Sequence, residues 1–440
     1  MKHTHIRRSF AACAVGLALT VTGCAGTGSG QSSQSTASGS STTSQNDMEF
    51  WIFLDPNSPD DPRGAALKSV VEQYNSQTDG PKVSVRSINY AKIDAEVIRA
   101  AASGQGPDIV NVYSNQLPMH VAAKSIQPMT KYAEPLLEEY GTDILFPLEG
   151  VTYDGEIQAM PWELRVWLLW YRADLLEEAG LNVPQTLDEI GTVASKLQKP
   201  GTTGLGVGFS NAGLGASFME KFIPLTWGEG GEIIKNGEAV FDDVAGVSAM
   251  DRFTKWHDQG AFGDETLSLG SDEVISGFKA GSIAMAIEGS YRVEAARAGD
   301  GIGENLQTVP LPSATAGTPL STPVAGQTLA IGANASNPDA AFDFIKFYSS
   351  VSSQEEFAAA GVLPTLASTY DSESVKSLAN AEELQIWLEY VRDYGRPNPV
   401  SANFNELSDS LVTGAQQVIF QGGDATEVLS DVANKFNEKK

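Results

Sequence analysis

Residues 49–113 alternate strand and helix patterns, and that rhythm restricts the possible fold more than any other feature of the chain. Glu49-Phe-Trp-Ile-Phe-Leu54 is a short run of aromatic and β-branched residues, the pattern of a buried strand. Asp55-Pro-Asn-Ser-Pro-Asp-Asp-Pro62 breaks it, after which Leu67, Val70, Val71 and Tyr74 share one helical face. Val83, Val85 and Ile88 alternate as a second strand, and residues 93–102 form a second helix. Ser103-Gly104-Gln105-Gly106-Pro107 stops that helix, and Asp108-Ile-Val-Asn-Val-Tyr113 begins a third strand. Strand, helix, strand, helix, strand at this pace implies βαβ units around a parallel sheet, an α/β fold.

The pattern resumes after Pro161. Residues 162–171 read as an apolar, aromatic strand, and 173–179 as a helix closed by Gly180. Residues 186–197 read as a helix with Thr186 as N-cap and Glu189 completing a capping box. Further helices are expected over 247–257, 272–279, 338–349, 404–420 and 426–436, with a strand over 284–287. From residue 48 the chain is long enough for two domains of ~100–200 residues. No later apolar run reaches the ~18 residues of a membrane span.

The first 23 residues read as an export signal. Arg7 and Arg8 form a positive start, and residues 11–21 an apolar stretch too short to cross a ~30 Å hydrocarbon core. Val21-Thr-Gly-Cys24 resembles a bacterial lipobox, which implies cleavage before Cys24 and its lipidation, with the mature chain held at the outer face of the cytoplasmic membrane. Residues 25–47 are Ser, Thr, Gly and Gln with no charge before Asp47, a flexible tether. Arg7-Arg8-Ser9-Phe10 also resembles a twin-arginine signal, so either export route stays open.

Without the leader, Cys24 is the one cysteine left and no disulfide forms within the chain. Of four histidines, only His120 and His257 remain, little material for a metal site or a Ser-His-Asp triad. Loss of Lys2, Arg7 and Arg8 moves the net charge from −26 to −29, which repels nucleic acid and anionic lipid. Gly208-Phe-Ser-Asn-Ala-Gly213 misses a nucleophile elbow by one residue. Asp55, Asn57, Asp60 and Asp61 lie among three prolines with no glutamate at loop position 12, unlike an EF-hand. No P-loop or dinucleotide fingerprint occurs, so no cofactor, no metal and no enzymatic activity is expected.

Several segments, in order, resemble the extracellular solute-binding proteins of bacterial ABC importers, the family that includes maltose-binding protein. They are Trp51-Ile-Phe-Leu-Asp55, Ala101-Ala-Ser-Gly-Gln-Gly-Pro-Asp108 and Tyr153-Asp-Gly-Glu-Ile-Gln-Ala-Met-Pro161, then Leu169-Trp-Tyr-Arg-Ala-Asp-Leu-Leu176. Phe278-Lys-Ala-Gly-Ser-Ile-Ala-Met285, Glu288-Gly-Ser-Tyr291, Val309-Pro-Leu-Pro312 and Leu363-Pro-Thr365 continue the run. Arg172 replaces the family's usual Asn, and Tyr291 its commoner tryptophan.

The resemblance implies a two-lobed periplasmic-binding-protein-like fold (class II), with a ligand cleft between lobes joined by hinge strands. Residues 48–166 and 284–335 would form the N-terminal lobe, and 167–283 and 336–440 the C-terminal lobe. The first crossing would fall near 165–168, the return near 283–288 and the second crossing near 334–338. It implies a monomer that binds an oligosaccharide and delivers it to an ABC permease. A polyamine or glycerol phosphate ligand, or an extracellular glycosidase, remains the alternative.

A sugar site needs aromatic plates and planar hydrogen-bonding side chains. By resemblance the candidates are Asp55 (or else a turn aspartate), Tyr113, Asn115 and Gln116 at the end of the third strand, and Trp162, Glu163, Arg165 and Trp167 at the hinge. The alternative for the hinge tryptophans is lobe packing with Glu163 pairing Arg165, and Trp170 is expected in the core. Trp227 in a Gly-rich segment is expected to be an exposed stacking platform. Ser290, Tyr291 and Arg292 occupy the family's aromatic plate position, and Gln327, Phe404 and Asn405 complete the set. Asp108 is expected to cap backbone N–H groups instead.

Overall fold

The computed structural model describes residues 47–59, 61–211 and 216–439; the leader, Cys24 and the tether up to residue 46 lie outside them. Two sheets organise the chain. In the first, Met48–Ile52 runs parallel to Val83–Ser87 on one side and to Ile109–Tyr113 on the other. Helices Pro62–Gln77 and Tyr90–Ala102 make the two crossovers, the arrangement expected from the alternating pattern. Asp61 caps the first helix, its carboxylate accepting from the Arg63 backbone N at 3.1 Å, while Pro62 occupies the first turn, where its missing N–H is not needed. Gln327–Gly332 joins antiparallel to Ile109–Tyr113, and Ile126–Gln127 and Met160–Pro161 pair with it in turn. Asp108 caps backbone as expected, accepting from the N–H groups of Glu49 and Ser336.

The second sheet runs Leu306–Pro310, Trp167–Arg172, Ile283–Gly289, Thr203–Gly206. Helices cover both its faces, which is why Trp167–Arg172 is apolar without alternation. Leu169 enters the core of the second lobe, whereas Leu168 and Trp170 on the opposite face enter the cluster that spans the hinge. Helix Leu187–Leu197 has the expected N-cap, Thr186 Oγ1 accepting from Glu189 N at 3.2 Å, but the Glu189 carboxylate accepts from Gln185 N at 2.7 Å rather than from the Thr186 N–H that a capping box would use.

The lobe boundaries differ from expectation in two places. Ile283–Gly289 and Leu306–Pro310 both belong to the second sheet, so the return to the first lobe lies across residues 311–326 rather than near 283–288. Helices Pro338–Tyr348 and Val351–Ala359 pack on the first sheet, with Phe344, Tyr348 and Phe357 in one core with Phe50 and Ile52. The last crossing therefore comes after residue 359: helix Ala381–Tyr394 reaches the second sheet, with Trp387 Nε1 donating to Thr308 Oγ1 at 3.0 Å, and Phe404–Gln421 and Ala425–Asn437 pack in the second core. An amphipathic helix shows which of its faces is apolar but not which sheet will cover it.

The first crossing occupies residues 162–166, which is why the strand expected from 162 starts at Trp167. It lies against the return segment, with Arg165 N donating to Ala325 O at 2.7 Å and Ser114 N to Gly326 O at 2.9 Å. A Cβ on Gly326 would stand 1.8 Å from Glu163 O. Gly326→Ala should therefore destabilise the protein by about 1–3 kcal/mol in urea titration, because the two paired crossing segments must separate. An unchanged midpoint would show that they separate freely.

Candidate functional site

The strands of the first sheet, the crossing and the second lobe all deliver residues to one cleft of ≈ 370 Å³. Phe53 follows the opening strand, and Asn89 and Tyr90 follow the second strand, so the first lobe contributes the C-terminal ends of parallel strands. Asp61 and Arg63 come from the start of helix Pro62–Gln77. Across the gap stand Ser217 and Glu220 of helix Ala216–Gly228, the first turn of helix Ser271–Lys279, and Tyr291 with Arg292 just past Gly289. Arg165 of the crossing closes the bottom.

The arginines of this cleft arrive already paired. Arg63 is bidentate to Asp61, with Nη2 at 2.7 Å from Oδ2, and it holds that carboxyl below its usual range despite burial. Arg292 lies 2.9 Å from Asp272. Arg165 bonds Glu163, whose negative charge outweighs the burial of the guanidinium and keeps it protonated. The Arg165 guanidinium also stacks 3.8 Å from the Tyr291 ring centroid and 5.1 Å from that of Tyr113. Burial pushes the Tyr291 phenol up to about 12, so it stays a neutral donor and acceptor.

Of the residues singled out in the sequence, Arg165, Tyr291 and Arg292 line the cleft. Tyr291, expected as a sugar plate, presents one ring face to Arg165 instead. Phe53 and Tyr90 are the aromatic rings of the first-lobe wall, 5.6 Å apart edge to face, and Tyr90 is 38% exposed. Tyr113 and Trp167 are buried together just behind the wall, with the Tyr113 hydroxyl 3.4 Å from Glu220. Asn115, Gln116 and Asn405 do meet, but as partners within the protein. Gln116 and Asn405 exchange two hydrogen bonds of 2.7 and 3.0 Å between the lobes, and Asn115 accepts from Asn398 at 2.6 Å.

The others are displaced from the cleft. Asp55 is the turn aspartate, accepting from Asn57 N at 2.9 Å; Asp61, six residues on, reaches the site. Trp162 is fully buried, donating to Asn111 and packing on Phe357 at 4.7 Å, because its side of the crossing faces the first core. Glu163, equally buried, pairs Arg165 from behind. Trp227 closes helix Ala216–Gly228 rather than riding an exposed loop, and Arg396 covers its ring at 4.2 Å. Ser290 has no exposure and bonds Val166 across the hinge; Gln327 and Phe404 are buried in the first sheet and the second core.

Phe53, Asp61, Arg63, Asn89, Tyr90, Ser217, Glu220, Ser271, Asp272 and Glu273 escaped the sequence reading. For Phe53 and Tyr90 a signal existed, since an aromatic just past a strand end is placed to face a cleft. Glu220-Lys221 inside a helix rich in phenylalanine was a second one.

A Ser-His-Asp constellation does form: His120 Nε2 lies 3.0 Å from Asp94 and Nδ1 2.7 Å from Ser125 Oγ. Ser125 is 1% exposed and takes no part in the cleft wall, so the group ties helix to helix rather than meeting a substrate. Among the described residues, no helix is long and apolar enough to cross a membrane.

A sequence model described as a bacterial extracellular solute-binding protein matches residues 69–383. The chain belongs to this family. This binding protein is 26% identical over 288 residues to a Deinococcus radiodurans protein named "Probable ABC transporter-binding protein", covering 62% of this chain and 66% of that one. It is 24% identical over 184 residues to the sn-glycerol-3-phosphate-binding periplasmic protein of Yersinia enterocolitica, covering 40% of each. The chain thus spans less than two thirds of these curated relatives. Among solved structures, the GacH receptor of Streptomyces glaucescens, described unliganded and with acarbose, shares the two-lobed fold with a TM-score of 0.75 and 24% identity over 89% of this chain and 97% of that one.

Proposed function

We propose that this binding protein captures a short, neutral carbohydrate in the interlobe cleft and passes it to the membrane subunits of an ABC importer, held at the outer face of the cytoplasmic membrane by a lipid on Cys24. The observation that carries the reading is the pairing of the cleft arginines. Each of Arg63, Arg165 and Arg292 already has a carboxylate partner. Paired charges of this kind present N–H donors and carboxylate acceptors to hydroxyl groups without a surplus of positive charge for a phosphate. Phe53 and Tyr90 offer the apolar surface that a sugar ring needs on its other face. A space of ≈ 370 Å³ suits about one or two sugar rings. Acarbose binding by the GacH receptor is in keeping with this reading.

The second reading is a glycerol phosphate, which the Yersinia relative favours. A thermal-shift screen of the full chain against mono- and disaccharides, polyamines and sn-glycerol 3-phosphate separates the two, because a ligand that binds the native state raises the melting temperature. A response to sugars alone supports the proposal, and a response to the phosphate ester alone replaces it. With a responding sugar in hand, Tyr90→Ala should weaken binding at least about tenfold in calorimetry with little change in melting temperature, since the ring is exposed. Equal affinity would remove Tyr90 from the site.

A further inference from the structure

The buried charges behind the cleft do not balance. Two cations, Arg165 and Lys221, meet three carboxylates, Glu163, Glu220 and Glu288. Arg165 holds Glu163. Lys221 Nζ lies 2.9 Å from Glu288 Oε1 and donates to Ser217 O and Oγ at 2.8 and 3.0 Å. The Ser271 hydroxyl reaches Glu288 as well, at 3.2 Å. Glu220, 7% exposed and forming part of the cleft wall, accepts from the Tyr113 hydroxyl at 3.4 Å and has no ion-pair partner among the described residues.

A surplus buried carboxylate is neutralised either by a proton or by a cation from outside. An ammonium group reaching Glu220 would lie close to Lys221 and Arg165, whose charges already act on that carboxyl, while Arg63 and Arg292 are cancelled by Asp61 and Asp272. A proton meets no such opposition, and the acid it forms can donate to a hydroxyl or ring oxygen.

We propose that Glu220 takes up a proton as the cleft closes over a neutral polyhydroxylated ligand, and that the resulting carboxylic acid sets the preference for such a ligand over an amine. The ligand half of this statement rests on the carbohydrate reading above. Entry of a ligand requires the lobes to part, which breaks the Tyr113–Glu220 and Gln116–Asn405 contacts and wets Glu220. In the structure, burial first and the nearby Glu288 next push Glu220 up to about 7, against Lys221 and Arg165. The phenols of Tyr90, Tyr113 and Tyr291 face it from the first lobe and from beyond Gly289, and all three are raised, Tyr113 and Tyr291 by burial, so none titrates in the same range. In water a glutamate titrates near ~4.3. The group is therefore raised in the closed, folded state. Its stabilising effect is complete below the open-state value and is lost as pH rises through about 7.

The test melts full-chain wild type and Glu220→Gln from pH 5.5 to 8.5, alone and with maltose or the polyamine putrescine. Glu220→Gln should melt above wild type at pH 8.5, and the difference should shrink steadily toward pH 5.5. Maltose affinity of the wild type should fall about tenfold or more over the same range, and the variant should flatten that slope. Parallel melting curves at every pH would overturn the proposal. So would putrescine binding that is tighter than maltose at pH 8.5 and lost in the variant. If every sugar of the mono- and disaccharide panel is silent while the curves without ligand still diverge, the carbohydrate reading falls and protonation of Glu220 stands.

Discussion

Replacing Arg165, a buried residue of the cleft wall, with methionine should cost the fold about 3–5 kcal/mol in urea titration. The reason is Glu163. That carboxylate is fully buried, one of its oxygens already lacks a hydrogen-bond partner, and Arg165 is its counterion. Removing the guanidinium leaves an unpaired charge in the crossing segment, where solvent cannot reach it. The control is the double variant Glu163→Gln with Arg165→Met, which removes both charges and should recover most of the loss. Equal midpoints for the single and double variants would show that the cost comes from lost packing on Tyr291 and Tyr113 rather than from charge.

Lys221→Met should be as damaging, and its cost should depend on pH. Lys221 has no exposure and holds Glu288 while sitting beside the unpaired Glu220. Methionine keeps most of the volume but leaves two buried carboxylates without a cation, a loss of about 3–5 kcal/mol at pH 8. Acidification should shrink it. Glu220 already titrates at about 7 in the native protein, and without Lys221 its protonated form is favoured further, so fewer uncompensated charges remain at pH 5.5. A loss of equal size at both pH values would assign it to the Ser217 contacts of Lys221 instead.

These two ion pairs show why the site was only partly legible beforehand. Tyr291 and Arg292 were readable through the family resemblance of the Glu288–Tyr291 block, and the structure places them just past the Gly289 end of a strand, facing the cleft. Trp162 and Trp227 carry the same chemistry and were misread. Each indole belongs to a core whose other half lies far along the chain: Trp162 against Phe357, Trp227 beneath Arg396. Asp55 and Asp61 share one proline-rich segment, and only the close of the turn by Asp55 and the cap by Asp61 decide which carboxylate looks inward. Gln116 and Asn405 were placed at the site singly, but nothing in either segment indicates that they bond each other.

Local side-chain patterns are enough to set the individual elements and the fold class. The alternation of Met48–Ile52, Val83–Ser87 and Ile109–Tyr113 with two helices, and the Thr186–Glu189 start of helix Leu187–Leu197, depend on side chains at most a few positions apart. Tertiary structure alone decided that Ile283–Gly289 stays in the second sheet, that Pro338–Tyr348 returns to the first, and that Glu220 is left without a cation. Those outcomes depend on which distant edge, face or charge each segment meets, and such a meeting is set by packing over hundreds of residues rather than by any periodicity within ten.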